Sequence, residues 1–317
     1  MAQTITIIIA AYNAESSIER ALRSALDQTC RPNVIVVDDA STDNTARRIG
    51  SLLHDEPRGT LLRQNINQGP SAARNRAIEA AKTDWIAIID ADDAMVPDRL
   101  ERLLAMAEAN AWDAIADDQY RISSWAPDAP RRRLWSDSDI GQIELSLARF
   151  VRENIMEYAG FGRELGFIKP LIKRDFLSKN DLRYDADMRL GEDYDLYARM
   201  LLHGAKFGLV DPCGYLAFDT PGSLSRTHRS EALEKLVRSD QRLLRHTATP
   251  QNTKPIIIEH MRHTQKKAAW AKLGEAYHER NPLKAASSFI APWDVVTDLT
   301  SRAVALAGQK LKKPKMM

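Results

Sequence analysis

Three carboxylates fall within four residues at Asp90-Ala91-Asp92-Asp93, directly after the apolar run Trp85 to Ile89. Crowded at a strand end they repel one another unless a cation sits among them. Hard oxygen donors of this kind suit Mg²⁺ or Mn²⁺, which then take substrate phosphates as further ligands. The competing structural reading is an acidic loop in which Asp92 or Asp93 caps the helix expected near Pro97. The pattern recurs at Val36-Val37-Asp38-Asp39-Ala40-Ser41-Thr42-Asp43. There Asp43, Ser41 or Thr42 can cap a helix, whereas Asp38 and Asp39 at a strand tip can accept hydrogen bonds from a base N–H or a ribose hydroxyl. A third apolar run closes in Ala10-Ala11-Tyr12-Asn13, whose small residues let a ligand approach the backbone and whose Tyr12 offers a flat face to a base. Asn67-Gln68-Gly69-Pro70-Ser71-Ala72-Ala73-Arg74 ends where a helix starts, so backbone N–H groups and Arg74 could meet a phosphate. Read alone, Arg74 is a solvated helix arginine. Glu192 and Asp193, after Gly191, open a further helix; read alone, they are carboxylates favoured by its dipole.

These clusters need a scaffold that gathers them. The first 120 residues alternate β-branched runs with amphipathic stretches, as a βαβ chain with a largely parallel sheet does. Strands are expected over Thr4 to Ala10, Asn33 to Asp38, Thr60 to Gln64 and Trp85 to Ile89. Helices are expected over Ser16 to Leu26, Asp43 to Leu53, Ser71 to Ala81 and from about Pro97. Each polar cluster then falls at a strand end, where open α/β sheets hold their ligands. From about 120 to 165, Pro127, Pro130 and the run Arg131 to Arg133 break any periodicity, and the segment reads as loop-rich. Phe167 to Ile172, Ala205 to Val210 and Tyr215 to Phe218 read as strands, and Glu192 to Leu202 as a helix. After the Gly-, Ser- and Thr-containing stretch Asp219 to His228, helices are expected over Glu231 to Arg245, Pro255 to Glu279 and from Pro292. The expected division is an α/β domain over 1–228, with halves near 1–118 and 119–228, and a helical extension over 229–317.

Taken in order, these motifs resemble the inverting glycosyltransferases of family 2, which have the GT-A fold: an α/β, Rossmann-like, mostly parallel sheet flanked by helices. The resemblance covers roughly residues 4 to 230 and rests on AAYN, VVDDASTD, NQGPSAARN, the DxD-type Asp90-Ala91-Asp92, and Gly191-Glu192-Asp193 about 100 residues later. It implies a nucleotide-sugar donor, UDP-linked, approached by Ala10, Ala11 and Ala91. Tyr12 and Asp39 would hold the base, with Arg74 near it or the phosphates, and Asp90 would lie by the ribose and the ion. Asp92 would bind the divalent ion that bridges the diphosphate, with His228 either completing its shell or lying on the surface. Asp193 matches the catalytic base. The segment Thr220 to Thr227 would be a lid over the donor, with Ser223 and Arg226 reaching the diphosphate. The QxxRW motif and the membrane helices of processive members are absent, so a single sugar addition is expected. The acceptor would be a glycan or a lipid-linked oligosaccharide, in exopolysaccharide assembly.

Composition agrees with a globular protein: 317 residues, 44% hydrophobic and 28% charged. Cys30 and Cys213 show no metal or disulfide spacing, no basic leader precedes the first strand, and no window is apolar for 18 residues. A cytoplasmic protein is expected. The net charge of +2 hides a basic tail: residues 250–317 carry 12 Lys and Arg against 5 Asp and Glu. An acidic body with a basic tail argues against a nucleic-acid reader. Trp293, Val296, Leu299, Ala303 and Leu306, followed by Lys310, Lys312, Lys313 and Lys315, read as a helix that settles on an anionic membrane. The alternative is packing on the body or on a second subunit of a homo-oligomer. Two functions compete with the transferase: a non-catalytic nucleotide-sugar-binding scaffold, and a DxD phosphatase of the haloacid dehalogenase type. The second fits poorly, because three βα units precede Asp90.

Overall fold

The computed structural model describes residues 3–126, 129–155, 164–218 and 229–312, with side chains to 306. The chain divides into two compact units, Met1–Ser223 and Leu224–Met317. The first begins with the alternation read from the sequence: β1 (Ile5–Ala11), α1 (Ile18–Leu26), β2 (Asn33–Asp38), α2 (Thr45–Leu52), β3 (Gly59–Arg63), α3 (Pro70–Ala80) and β4 (Trp85–Asp90). β1 and β4 are buried nearly end to end, because helices cover both faces of a parallel sheet. Ile7, Ile9, Val36 and Ile89 pack on Ile18 and Leu22 of α1, and this core continues to Leu100 and Leu103.

After β4 come β5 (Ala94–Met95), α4 (Arg99–Ala109), β6 (Ala114–Asp117), β7 (Tyr120–Ile122), β8 (Arg132–Arg133), β9 (Gln142–Leu145) and α5 (Leu147–Arg152). Then follow β10 (Leu171–Lys173), α6 (Arg174–Lys179), α7 (Glu192–Leu202), β11 (Phe207–Val210) and β12 (Tyr215–Phe218). The main sheet has eight strands in the order β3-β2-β1-β4-β10-β6-β11-β9, and a second sheet runs β5-β12-β7-β8. Strands β3, β2, β1 and β4 are mutually parallel, whereas β10 lies antiparallel between β4 and β6. The chain is therefore α/β with a mostly parallel sheet, followed by helices.

Two expectations are corrected here. The strand expected over Phe167 to Ile172 begins only at Leu171, since Leu165–Phe167 forms a 3₁₀ turn and Pro170 has no N–H for a ladder. The stretch expected to be loop-rich contains β7, β8, β9 and α5, with the Ser146 hydroxyl capping α5 at Arg149 N–H. These strands are two to four residues long and lie among Pro127, Pro130 and the run Arg131 to Arg133, which mask any period in the sequence.

The second unit comprises α8 (Ser230–Arg245), α9 (Lys254–His278), α10 (Pro282–Ser287) and α11 (Trp293–Lys312). Val295 and Leu299 of α11 are buried in a cluster with Ala269, against which Trp270 and Leu273 pack. The expected stripe is thus not one face. Side chains two positions apart on a helix point about 200° apart, so burying Val295 leaves Trp293 82% exposed. Leu306 is also exposed. The tail lysines lie beyond the described side chains. No helix among the described residues is long and apolar enough to cross a membrane.

Candidate active site

Parallel pairing brings three strand ends to one edge: Ala11 is in register with Asp38, and Ala10 with Asp90. Ala11 is buried and Tyr12 is half exposed beside it. The first two loops are stitched together, since Asn13 Oδ1 accepts from Thr42 N–H at 2.8 Å and Asn13 N–H donates to Ser41 Oγ at 3.0 Å. Asp39 is buried, and its carboxylate accepts from the backbone N–H groups of Gln68 (2.8 Å) and Gly69 (2.7 Å) and from the Gln64 amide. Asp39 thereby fixes the loop that launches α3. Gly69 holds φ +92° as the residue before Pro70, a conformation that disfavours any side chain. Asp38, beside Asp39 in the chain, is fully buried, with no hydrogen-bond partner to either carboxylate oxygen among the described residues and Arg63 at 3.7 Å.

α3 docks on the segment that precedes α7. The Asn75 side chain exchanges two hydrogen bonds of 2.8 Å with the Tyr184 backbone, and Ser71 Oγ donates to Met188 O at 2.8 Å. This docking buries Arg74, which is 5% exposed, correcting its reading as a solvated helix arginine. Its guanidinium meets Asp90 Oδ1 at 2.8 Å, Glu192 Oε1 at 2.9 Å and Asp193 Oδ1 at 3.4 Å. Lys169, just before β10, completes the cluster: Nζ lies 2.7 Å from Asp193 Oδ2 and 3.0 Å from Asp90 Oδ2. Residues nearly 120 positions apart in sequence, Arg74 and Asp193, so become neighbours.

Among the described residues three carboxylates share two cations here. Burial opposes the charge on Asp90, but Lys169 and Arg74 outweigh it and hold the carboxyl at about 2. Burial likewise opposes the Lys169 and Arg74 charges, and the surrounding carboxylates overcome it, raising both. Glu192 goes the other way: burial pushes its carboxyl up, Arg74 only partly offsets this, and the Asp193 charge adds to it. Asp193 is itself 6% exposed at the first turn of α7.

The rest of the acidic turn divides in function. Asp93 faces inward, where Tyr215 OH (2.7 Å) and Phe218 N–H (2.9 Å) reach its two oxygens, and burial followed by the Asp90 and Asp92 charges raises its carboxyl well above the usual range. It caps no helix; α4 starts at Arg99, after Asp98. Tyr215 OH also accepts from Asp90 N–H at 3.1 Å, so β12 supports the turn from behind. Arg20 lies over the Trp125 ring at 3.9 Å and donates to Asp92 O at 3.0 Å. Asp92 is half-buried on this turn. No group of three or more His, Cys, Asp or Glu side chains encloses a metal position among the described residues. Of this turn's carboxylates, Asp90 and Asp93 have both oxygens engaged within the protein, so Asp92 is the one whose chemistry suits Mg²⁺ or Mn²⁺, ions that bind through one or two carboxylates plus substrate phosphates and water.

His228, Ser223, Arg226 and the whole segment Thr220 to Thr227 lie outside the described residues. The sequence reading missed Lys169, Asn75, Tyr215, Arg20 and Trp125. One signal was available for Lys169, a single cation inside the apolar run Leu165-Gly-Phe-Ile-Lys-Pro-Leu-Ile.

A mostly parallel sheet that gathers its loops and a carboxylate cluster at one edge of strand ends, followed by helices, is the architecture of the GT-A fold. The chain belongs to glycosyl transferase family 2, whose family model matches residues 6–165. It is 37% identical to the succinoglycan biosynthesis protein ExoU of Rhizobium meliloti over 82% of this chain and 75% of that protein. It is 35% identical to ExoO of the same organism, also a succinoglycan biosynthesis protein, over 77% and 69%. Among solved structures, S. aureus TarS superposes with a TM-score of 0.65 at 18% identity, over 94% of this chain and 55% of TarS. TarS 1–349 in complex with UDP-GlcNAc gives 0.64 at 16% identity, over 95% and 92%. The mannosyltransferase PcManGT of Pyrobaculum calidifontis, in complex with GDP-Man and Mn²⁺, gives 0.58 at 18% identity, over 97% and 81%. The protein is a glycosyltransferase.

Proposed function

We propose that this enzyme moves one sugar, with inversion, from a UDP-sugar to a glycan or lipid-linked oligosaccharide during exopolysaccharide assembly. The acceptor hydroxyl oxygen bonds to the anomeric carbon as the bond from that carbon to the diphosphate oxygen breaks; UDP leaves, and the hydroxyl proton passes to Asp193. A general base of this kind contributes about 10²- to 10⁴-fold. One observation carries the reading: Asp193 is joined to Asp90, at the nucleotide-facing strand end, through Arg74 and Lys169. The relatives ExoU and ExoO, succinoglycan biosynthesis proteins, support the pathway, and the similar fold of TarS with UDP-GlcNAc bound supports the donor class.

Within the donor pocket, Tyr12 supplies a face for the base, beside the small backbone edge at Ala10 and Ala11. Asp39 acts on the base through the loop it holds, and Ala91 leaves room at the turn. Asp92, with His228, would hold a divalent ion, which when bound offsets charge on the departing diphosphate. Calorimetric titration with UDP, GDP and dTDP, each with and without Mn²⁺, tests the reading. Selective, Mn²⁺-dependent UDP binding is expected. Equal UDP affinity with and without Mn²⁺ would remove the metal assignment, and an absence of nucleotide binding would remove the donor class.

A further inference from the structure

The ammonium of Lys169 touches one oxygen of each of two carboxylates that the proposed reaction uses differently: Asp90 Oδ2 on the donor side and Asp193 Oδ2 on the base. Its backbone is as firmly held as its side chain. Lys169 O accepts from the buried Arg99 guanidinium at 2.6 Å, Ile168 O accepts from Tyr197 OH at 3.3 Å, and Leu171 pairs with Ala87 of β4 and with Ile115 of β6. The other oxygen of Asp193 is held less tightly. Among the described residues Asp193 Oδ1 has Arg74 and Tyr197 OH at 3.4 Å each, longer than a strong charge-assisted contact, and the buried Tyr184 also lies beside the carboxylate. The two oxygens are therefore unequal: Oδ2 is tethered, while Oδ1 retains the capacity to accept a proton.

We propose that Lys169 is the positioning residue for the base, a tether that fixes Asp193 by Oδ2 against the donor-side Asp90 and turns Oδ1 toward the acceptor hydroxyl. This rests on the reading of Asp193 as the base. A stabilising role alone does not account for the geometry. The cluster already holds Arg74, and a lysine ammonium, a compact charge with three rotatable donors, is suited to spanning oxygens on two separate elements. Without it, Asp193 loses its one short contact among the described residues and keeps Arg74 and Tyr197 OH at 3.4 Å, with the buried Tyr184 also beside its carboxylate.

The test compares full-length wild type, K169M, K169R and D193N in three ways: crystal structures, calorimetric titration with UDP and Mn²⁺, and release of UDP from UDP-glucose, UDP-galactose and UDP-N-acetylglucosamine. In K169M the Asp193 carboxylate is expected to leave its rotamer, while UDP affinity stays within about threefold; hydrolysis kcat should fall about 100-fold or more with donor KM nearly unchanged. K169R should restore the rotamer and recover at least about tenfold in kcat, and the K169M/D193N double variant should be no slower than D193N. An Asp193 rotamer unchanged in K169M overturns the tether, as does a kcat near wild type or a loss of UDP binding in step with turnover. If K169M does not fold, K169A, whose smaller side chain leaves room for water, carries the same comparison. Undiminished hydrolysis by D193N would remove the base itself, whereas the crystal structures report on the tether whatever the fate of that reading.

Discussion

Two buried arginines in this molecule meet carboxylates in opposite ways. Arg99 and Asp117 are both fully buried and matched one to one: Arg99 donates to Asp117 Oδ1 from Nε (2.9 Å) and from a terminal nitrogen (2.7 Å). Asp117 Oδ2 accepts from Cys213 N–H at 2.8 Å, and the arginine's remaining capacity goes to Lys169 O and to the Met95 sulfur at 3.1 Å. Arg74, by contrast, serves three carboxylates with Lys169 as the other cation among the described residues, and one of the three, Asp90, keeps 32% of its side chain at the surface. A closed, balanced pair ties α4 to β6 and to β10. The cluster with surplus negative charge and one open side is suited to receiving a proton and a ligand. Both meet at residue 169, whose carbonyl serves the first and whose ammonium serves the second.

That contrast can be broken from either side. The largest effect is expected from R99M, because leaving a buried carboxylate without its partner costs about 3–5 kcal/mol, read as a lower urea midpoint. If R99M unfolds at the wild-type midpoint, the pair is not what anchors α4. D193N should do the reverse. It lowers turnover by about 100-fold or more, worth roughly 2.7 kcal/mol of barrier, yet keeps both stability and UDP binding near wild type, because it relieves surplus negative charge. A D193N protein that melts well below wild type would make the second cluster structural like the first. The smallest effect concerns acid. The Asp90 carboxyl is held at about 2, below its ordinary 3.8, so its contribution to stability is complete above about pH 4 and is lost as pH falls from there through 2. A denaturation series over pH 5 to 2 should show this loss in wild type and less of it in D90N. Equal pH dependence in the two proteins would mean that Asp90 is not held by its cations.

Much of this could be read in the sequence where a signal is periodic. β1, β2, β4 and α7 fall within a residue or two of their expected bounds because long apolar runs and helical spacing survive tertiary packing. The shortest elements did not: β8 has two residues and β10 three, and their pairing is decided by distant strands, although the four-residue β12 matches its expected bounds. The same limit applies to the site. Asp90 and Asp193 stand out as carboxylates at element ends, but Lys169 and Asn75 act only because α3, β10 and α7 converge, which no local pattern encodes. Arg99 was invisible for a related reason: a charged residue at the start of an amphipathic helix reads as solvated, and only the buried Asp117 opposite changes that.

The position of β10 also bears on how the chain emerges from the ribosome. Strands β3, β2, β1 and β4 come from the first 90 residues and can pair as soon as these are available, but the far edge of β4 waits for Leu171. About 80 residues of synthesis, several seconds at 5–20 residues per second, therefore pass with the unpaired edge of an apolar strand available to other chains. The segment that brings Lys169 to the Asp90 cluster thus leads directly into the strand that closes that edge, so the edge stays open until the residue beside it has been made.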